Sequence, residues 1–474
     1  ASNLSSVPLA IPLTVTVRNS QDQDESLNLG FANSIAVYGN WLAVAVENKI
    51  KTAAGAVLFF DISAAPVFRH AVQVGALPDM LTFSADGTKV LVANEGEPSA
   101  DYQTDPEGSV SVILLNQQQP ALQAQHIDFK SFNNQKTQLA AKGIKFASPA
   151  NTTVAQDLEP EYITLSVDQK KAYVALQENN ALAVLNLTNN TVEKLLPLGF
   201  KDHSQSKNAL DVSNRDGVNL VTVPKLYGMY QPDTLASYSW KNTTFIVSAN
   251  EGDARDYPGY SEQARVASLT RSDSLLQSQA QLYSATGLGR LNISTAMGQN
   301  GAGAFDALYA FGARSFSIWD QNGLLVFDSG NDFERISSAL HGDKFNSNHL
   351  TVEGDNRSDD KGPEPEALAL GQVGDRTYAF IGTERMSSLL IYDISNPYTP
   401  QFVDYVLNRD LNAQYSINDD VVPAQISGNV QQAGDLGPES IVFVDAAKSP
   451  TKQALLLVAN EVSGSVTLYQ VTKK

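Results

Sequence analysis

The sequence predicts an all-β fold, a seven-bladed β-propeller with helical or irregular insertions between strands. A short motif repeats along the chain, each copy carries two β-rich stretches around a turn, and most copies are followed by a third such stretch. The unit is a Pro-acid pair, an apolar run, a turn, a second apolar run and a glutamate. Its clearest copy is Pro78-Asp79-Met80-Leu81-Thr82-Phe83, a turn at Ser84-Ala85-Asp86-Gly87, and Lys89-Val90-Leu91-Val92-Ala93-Asn94-Glu95. Others begin at Pro160-Glu161, Pro232-Asp233, Pro365-Glu366 and Pro438-Glu439 and close at Glu178, Glu251, Glu384 and Glu461. Looser copies start at Asn33 and Phe305. A small antiparallel sheet repeated around an axis is the propeller pattern.

The blades are expected near residues 31–63, 77–116, 158–188, 231–257, 303–329, 363–395 and 437–472, within one domain spanning 1–474. The third stretches, such as Ala56–Asp61, Leu182–Asn186, Leu389–Asp393 and Ser465–Tyr469, supply further strands. Insertions between Phe129 and Phe146, between Ser261 and Leu291, and over Asp332–Leu340 are expected to include helix. Insertions on a rigid scaffold are a common place for function.

Composition limits the function. The 474 residues carry 51 Asp+Glu against 33 Lys+Arg, a formal charge of −18, and 42% are hydrophobic. The core can therefore be large, while an acidic surface disfavours contact with a nucleic-acid backbone. There is no cysteine, which excludes thiolate-bound metal and a cysteine nucleophile. No apolar run is long enough for a transmembrane helix. The polar opening Ala1-Ser2-Asn3-Leu4-Ser5-Ser6 is read as a mature, secreted, periplasmic or cell-surface chain whose signal peptide has been removed.

Antiparallel pairing puts the start of each motif's first strand beside the end of its second. Asp79 then lies near Glu95, Glu161 near Glu178, Asp233 near Glu251, Glu366 near Glu384, and Glu439 near Glu461. Such carboxylates repel unless protonated or neutralised by a cation. Oxygen-only ligands favour Ca2+ first and Mg2+ second. The expected metal ligands are Glu95, Glu161, Asp233, Glu251, Asp253, Glu366 and Glu439. The competing reading is that these acids accept backbone hydrogen bonds at strand ends.

Two loops are near-copies: Asn94-Glu95-Gly96-Glu97 through Asp101-Tyr102, and Asn250-Glu251-Gly252-Asp253-Ala254-Arg255-Asp256-Tyr257. A third runs from Asn356 through Arg357, Lys361 and Glu364 to Glu366. A metal flanked by Arg255, Arg357 and Lys361 would suit a phosphate ester, with the metal polarising one oxygen and the bases holding others. Salt bridges that stiffen the loops are the alternative. The loop Asp211–Gly217 resembles a calcium loop, but its glycine falls one position late for an EF-hand. His341 and His349 lack zinc-hydrolase spacing, and there is no nucleophile elbow, Walker loop or dinucleotide fingerprint.

The Asn250–Tyr257 segment, the run Arg357-Ser358-Asp359-Asp360-Lys361-Gly362-Pro363-Glu364-Pro365-Glu366, Leu288-Gly289-Arg290-Leu291 and Gly437-Pro438-Glu439-Ser440 resemble the choice-of-anchor I family. The resemblance covers most of the chain. It implies an exported propeller of bacterial exteriors, with alkaline-phosphatase-like hydrolysis among the activities of its relatives. Without cysteine, this chain departs from the iron-and-calcium alkaline phosphatases of propeller type, so any activity would use oxygen-bound Ca2+ or Mg2+. Two functions follow as expectations. One is an exported, divalent-metal-dependent phosphoesterase acting on a small phosphorylated substrate. The other is a non-catalytic, calcium-stabilised surface propeller that binds a ligand or partner.

Overall fold

The computed structural model describes residues 8–473 apart from 117, 118, 281, 283, 285 and 420, so the opening Ser2–Ser6 stretch lies outside the described residues. The chain forms two compact units, one of residues up to Pro197 with Arg255–Ser261, the other of Leu198–Ala254 with Glu262 onwards.

The first unit holds three sheets of sequential antiparallel strands. Thr14–Arg18, Asp24–Tyr38, Trp41–Asn48, Ala54–Asp61 and Val67–Ala76 form one. Pro78–Phe83, Lys89–Asn94, Ser109–Asn116 and Gln125–Asp128 form the next, with the short Gln119–Pro120 beside its third strand. Ile163–Leu165, Lys171–Leu176, Ala181–Asn186 and Thr191–Pro197 complete the unit. Their central strands read as continuous apolar runs because both faces are covered: Val44, Ala45 and Val46 are all fully buried, as are Val90, Leu91 and Val92. One core cluster joins the first and second sheets, and another joins the second and third. Each fully buried Val or Leu contributes about 1.5–3 kcal/mol relative to exposure.

In the second unit, Leu235–Trp240, Thr243–Asn250, Ser315–Asp320 and Leu325–Asp328 form one antiparallel sheet. Pro365–Val373, Arg376–Thr383, Ser388–Asp393 and Gln401–Leu407 form another, and Pro438–Val444, Ala454–Asn460 and Ser465–Val471 a third. A five-stranded sheet built from the insertions is mixed, with Leu226–Met229 parallel to Leu308–Ala310. Helices occupy all three expected insertions, as Lys136–Ala141, Asp273–Gln279 and Asp332–His341.

The seven motif copies do not map one to one onto sheets. The copy at 303–329 is split: Leu308–Ala310 enters the mixed sheet, whereas Ser315–Asp320 pairs with Thr243–Asn250. Thus the expected blades at 231–257 and 303–329 share one sheet. The exchanged strand is held by a six-residue antiparallel ladder, and a strand-end Asn–Ser hydrogen bond recurs in three of the sheets. The strand-ending Asn94 donates its amide to Ser111 Oγ at 2.9 Å, Asn460 to Ser465 Oγ at 3.2 Å, and Asn250 to Ser317 Oγ at 2.8 Å. Asn250 finds its serine across an insertion of some sixty residues, which hid the third strand.

Candidate metal centre and its ion-pair network

Strand register brings the motif acids together within each unit. Pro78 faces Asn94, Pro365 faces Thr383, and Pro438 faces Asn460, so the acid after each proline meets the glutamate after each partner strand. In the first unit, burial pushes the Glu95 carboxyl well above its usual range, reinforced by Asp79, Glu97 and Glu178 and opposed by Lys51. Glu161 is buried at the head of its strand, where its N–H donates to Ala175 O at 3.1 Å.

Arg255, expected to clamp a phosphate, is only 2% exposed. It is ion-paired with fully buried Glu159 and donates to Asp157 O at 2.8 Å. Its guanidinium is spent on the fold of the first unit, since an unpaired buried Glu159 would cost several kcal/mol. The Asp256–Tyr257 and Tyr260–Ser261 hairpin continues this packing, with Tyr257 edge-on to Tyr102 at 5.4 Å.

The second unit builds a different arrangement. Gly252 at φ +93° and Gly312 at φ +71° pass so closely that a Cβ on Gly252 would lie 2.2 Å from Gly312 N. Fully buried Gln231 spans the approach, its carbonyl accepting from Gly252 N at 3.1 Å and its side-chain oxygen from Gly312 N at 3.2 Å. This fixes the chain on either side of Asp233 and Glu251.

One carboxylate oxygen each from Asp233, Glu251 and Glu366 lies within 4.8 Å of the others. A second such triad is Glu251, Glu364 and Glu384. The second triad contains the protein's own cations. Lys361 Nζ lies 2.8 Å from Glu251 Oε1 and 3.1 Å from Glu364 Oε2, with Asp253 Oδ1 at 3.7 Å. Arg385 reaches Glu364 Oε2 at 3.0 Å and Glu384 Oε1 at 3.2 Å. Arg357 closes on Glu364 Oε1 at 2.6 Å and on Asp360 at 3.1 Å.

Glu364 is therefore the hub. Burial works against its charge, but Arg357, Lys361 and Arg385 outweigh it and hold the carboxyl well below its usual range. Its φ of +51° is a costly conformation for a side-chain-bearing residue, and it sits at this three-cation junction. Lys361 behaves reciprocally: burial disfavours the ammonium, yet Glu251, Glu364 and Asp253 keep it well above its usual range. His349 Nε2 takes part in a 2.9 Å bond with Arg385, while burial first, then Arg385, push its pKa down to about 3. The imidazole is neutral and serves as packing.

In the first triad, burial and then the carboxylates of Glu384, Glu251, Glu439 and Asp233 push Glu366 well above its usual range. Glu439 itself is exposed, and burial with Glu439 raises Glu461 to about 7. Of the expected ligands, Asp233, Glu251 and Glu366 converge; Asp253 stands off beside Lys361, and Glu95 and Glu161 belong to the first unit. Sequence reasoning missed Glu364 and Arg385. A signal for Arg385 was available: the residue after the motif glutamate is Gly96, Gly252, Asn179 and Val462 in the other copies.

The choice-of-anchor I domain model matches residues 5–397. The chain belongs to the choice-of-anchor I family. Among relatives of this choice-of-anchor I chain, Gigasin-3a of Magallana gigas is 32% identical over 193 residues, covering 39% of the chain and 64% of the relative. A mesenchyme-specific cell surface glycoprotein of Strongylocentrotus purpuratus is 30% identical over 312 residues, covering 57% of the chain and 40% of the relative. The chain thus spans less than two thirds of the length of each. Similar solved structures include hydrazine synthase of Kuenenia stuttgartiensis, at TM-score 0.45 and 12% identity over 97% of this chain and 90% of that one. A periplasmic gluconolactonase of Pseudomonas aeruginosa gives 0.39 and 12% over 91% and 92%. Among the described residues, no helix is long and apolar enough to cross a membrane.

Proposed function

We propose that this choice-of-anchor I chain is a non-catalytic binding or adhesion module of the cell exterior. The observation that carries this reading is the closure of all three expected phosphate-binding bases: Arg255 on Glu159, Arg357 on Glu364 and Asp360, and Lys361 on Glu251 and Glu364. Charges engaged at 2.6–3.1 Å with a buried carboxylate stiffen loops, and withdrawing one to meet a substrate would weaken the neutralisation of buried Glu159 or Glu364. Family membership and a relative named as a cell surface glycoprotein support an exterior location. The sequential antiparallel sheets support a propeller scaffold.

Metal-dependent phosphate ester hydrolysis is the second reading, favoured by the carboxylate triad Asp233, Glu251 and Glu366. A p-nitrophenyl phosphate screen from pH 6 to 10, with EDTA, Ca2+ and Mg2+ arms, separates the two. The module reading expects no turnover in any arm. Turnover abolished by EDTA and restored by one of the ions would overturn it.

A further inference from the structure

We infer that Asp233, Glu251 and Glu366 form a binding site for one hard divalent cation, Ca2+ in preference to Mg2+, and that the neighbouring triad is its protein-filled counterpart. Two observations carry this together. First, the two triads share Glu251, yet their charges are balanced differently. Glu251, Glu364 and Glu384 hold Lys361 and Arg385 among them at 2.8–3.2 Å. Second, Glu366 is 9% exposed and its Oε2 is buried with no hydrogen-bond partner among the described residues. A buried carboxylate oxygen in that condition loses hydration without compensation, and it belongs to a residue already within 4.8 Å of two further carboxylates.

The donor set selects the ion class. Three carboxylates without imidazole or thiolate suit hard cations and not Zn2+ or Cu2+. Hydration points to Ca2+ within that class. Mg2+ dehydrates reluctantly and keeps several waters, whereas Ca2+ accepts a flexible shell of protein oxygens such as three carboxylates held within 4.8 Å of one another. Backbone carbonyls and water would complete its shell. Lys361 on Glu251 Oε1 ties the cation site to the Glu364 hub, so filling the first triad also braces Arg357 and Arg385.

This inference stands apart from the catalytic question, because a structural and a catalytic ion would use the same ligands. The test is a thermal-melt and Tb3+-luminescence titration on the full chain and on Glu366→Gln, with Glu95→Gln as the control outside the triad. The wild type should melt higher in Ca2+ than in EDTA, respond less to equimolar Mg2+, and bind Tb3+ that Ca2+ displaces. E366Q should lose affinity by on the order of tenfold or more, lose the Ca2+ shift in melting, and yet melt higher than the wild type in EDTA, because a buried repulsion has gone. That opposite sign separates a lost ligand from a damaged fold. E95Q should keep the Ca2+ response. Equal Ca2+ responses in wild type and E366Q, or none in the wild type, would overturn the site; turnover in the phosphatase screen would overturn only the non-catalytic reading.

Discussion

The loops that begin Asn94-Glu95-Gly96 and Asn250-Glu251-Gly252 start from the same three residues and end in different electrostatics. Their asparagines do the same work, each pinning a serine of the next strand. Glu95 then meets Asp79, Glu97 and Glu178, with Lys51 as the opposing charge, whereas Glu251 receives Lys361 at 2.8 Å. The repeat thus determines where a carboxylate sits, and non-repeating loops determine what neutralises it. The loop 356–364 supplies Arg357, Lys361 and Glu364 to the second unit.

The comparison breaks most visibly at Glu364. Glu364→Gln strips the charge from a fully buried residue that balances three half-buried cations, and should cost about 3–5 kcal/mol, read as a lower urea midpoint. Next come the asparagines. Asn250→Ala and Asn94→Ala should each cost about 1–3 kcal/mol, because each leaves polar partners unsatisfied in a buried strand pair. Similar losses in both would confirm that the repeat's scaffold role is shared, and a loss in one alone would break it.

A pH series sharpens the contrast with the well-neutralised hub. Burial, the largest cause, raises Asp211 to about 8 from 3.8, with Glu334 and Asp355 reinforcing and backbone donors opposing. The folded state then holds a proton that the unfolded state releases, so stability is greatest below pH 3.8 and falls as pH rises towards about 8. Asp211→Asn should flatten that part of the profile, measured as urea midpoint against pH. The smallest effect belongs to the exposed pair Lys171–Glu193 at 2.6 Å. Lys171→Ala should change stability by about 0–1 kcal/mol, diminishing further in high salt.

Much of this was legible in the sequence. Apolar runs located most strands, and the Pro-acid and glutamate positions located the carboxylate pairs, because strand register follows from hydrophobic pattern. The third strand of the Leu235 sheet was not, since its Ser315-Phe316-Ser317 arrives after a long insertion and resembles a fresh motif copy. The Ser-x-Ser signature shared with Ser109-Val110-Ser111 marks it in retrospect. The partners of the bases were also hidden. Arg255, Arg357 and Lys361 look alike in a loop, and only tertiary contact reveals that each faces a buried carboxylate.

The central claim is that one carboxylate triad takes its counter-charge from solution while its neighbour takes it from the protein. Elemental analysis after equilibration with Ca2+ and dialysis tests this on the wild type, E366Q and E95Q. The account predicts one bound Ca2+ per chain in the wild type and E95Q, and its loss in E366Q. Calcium retained by E366Q and lost from E95Q would contradict it.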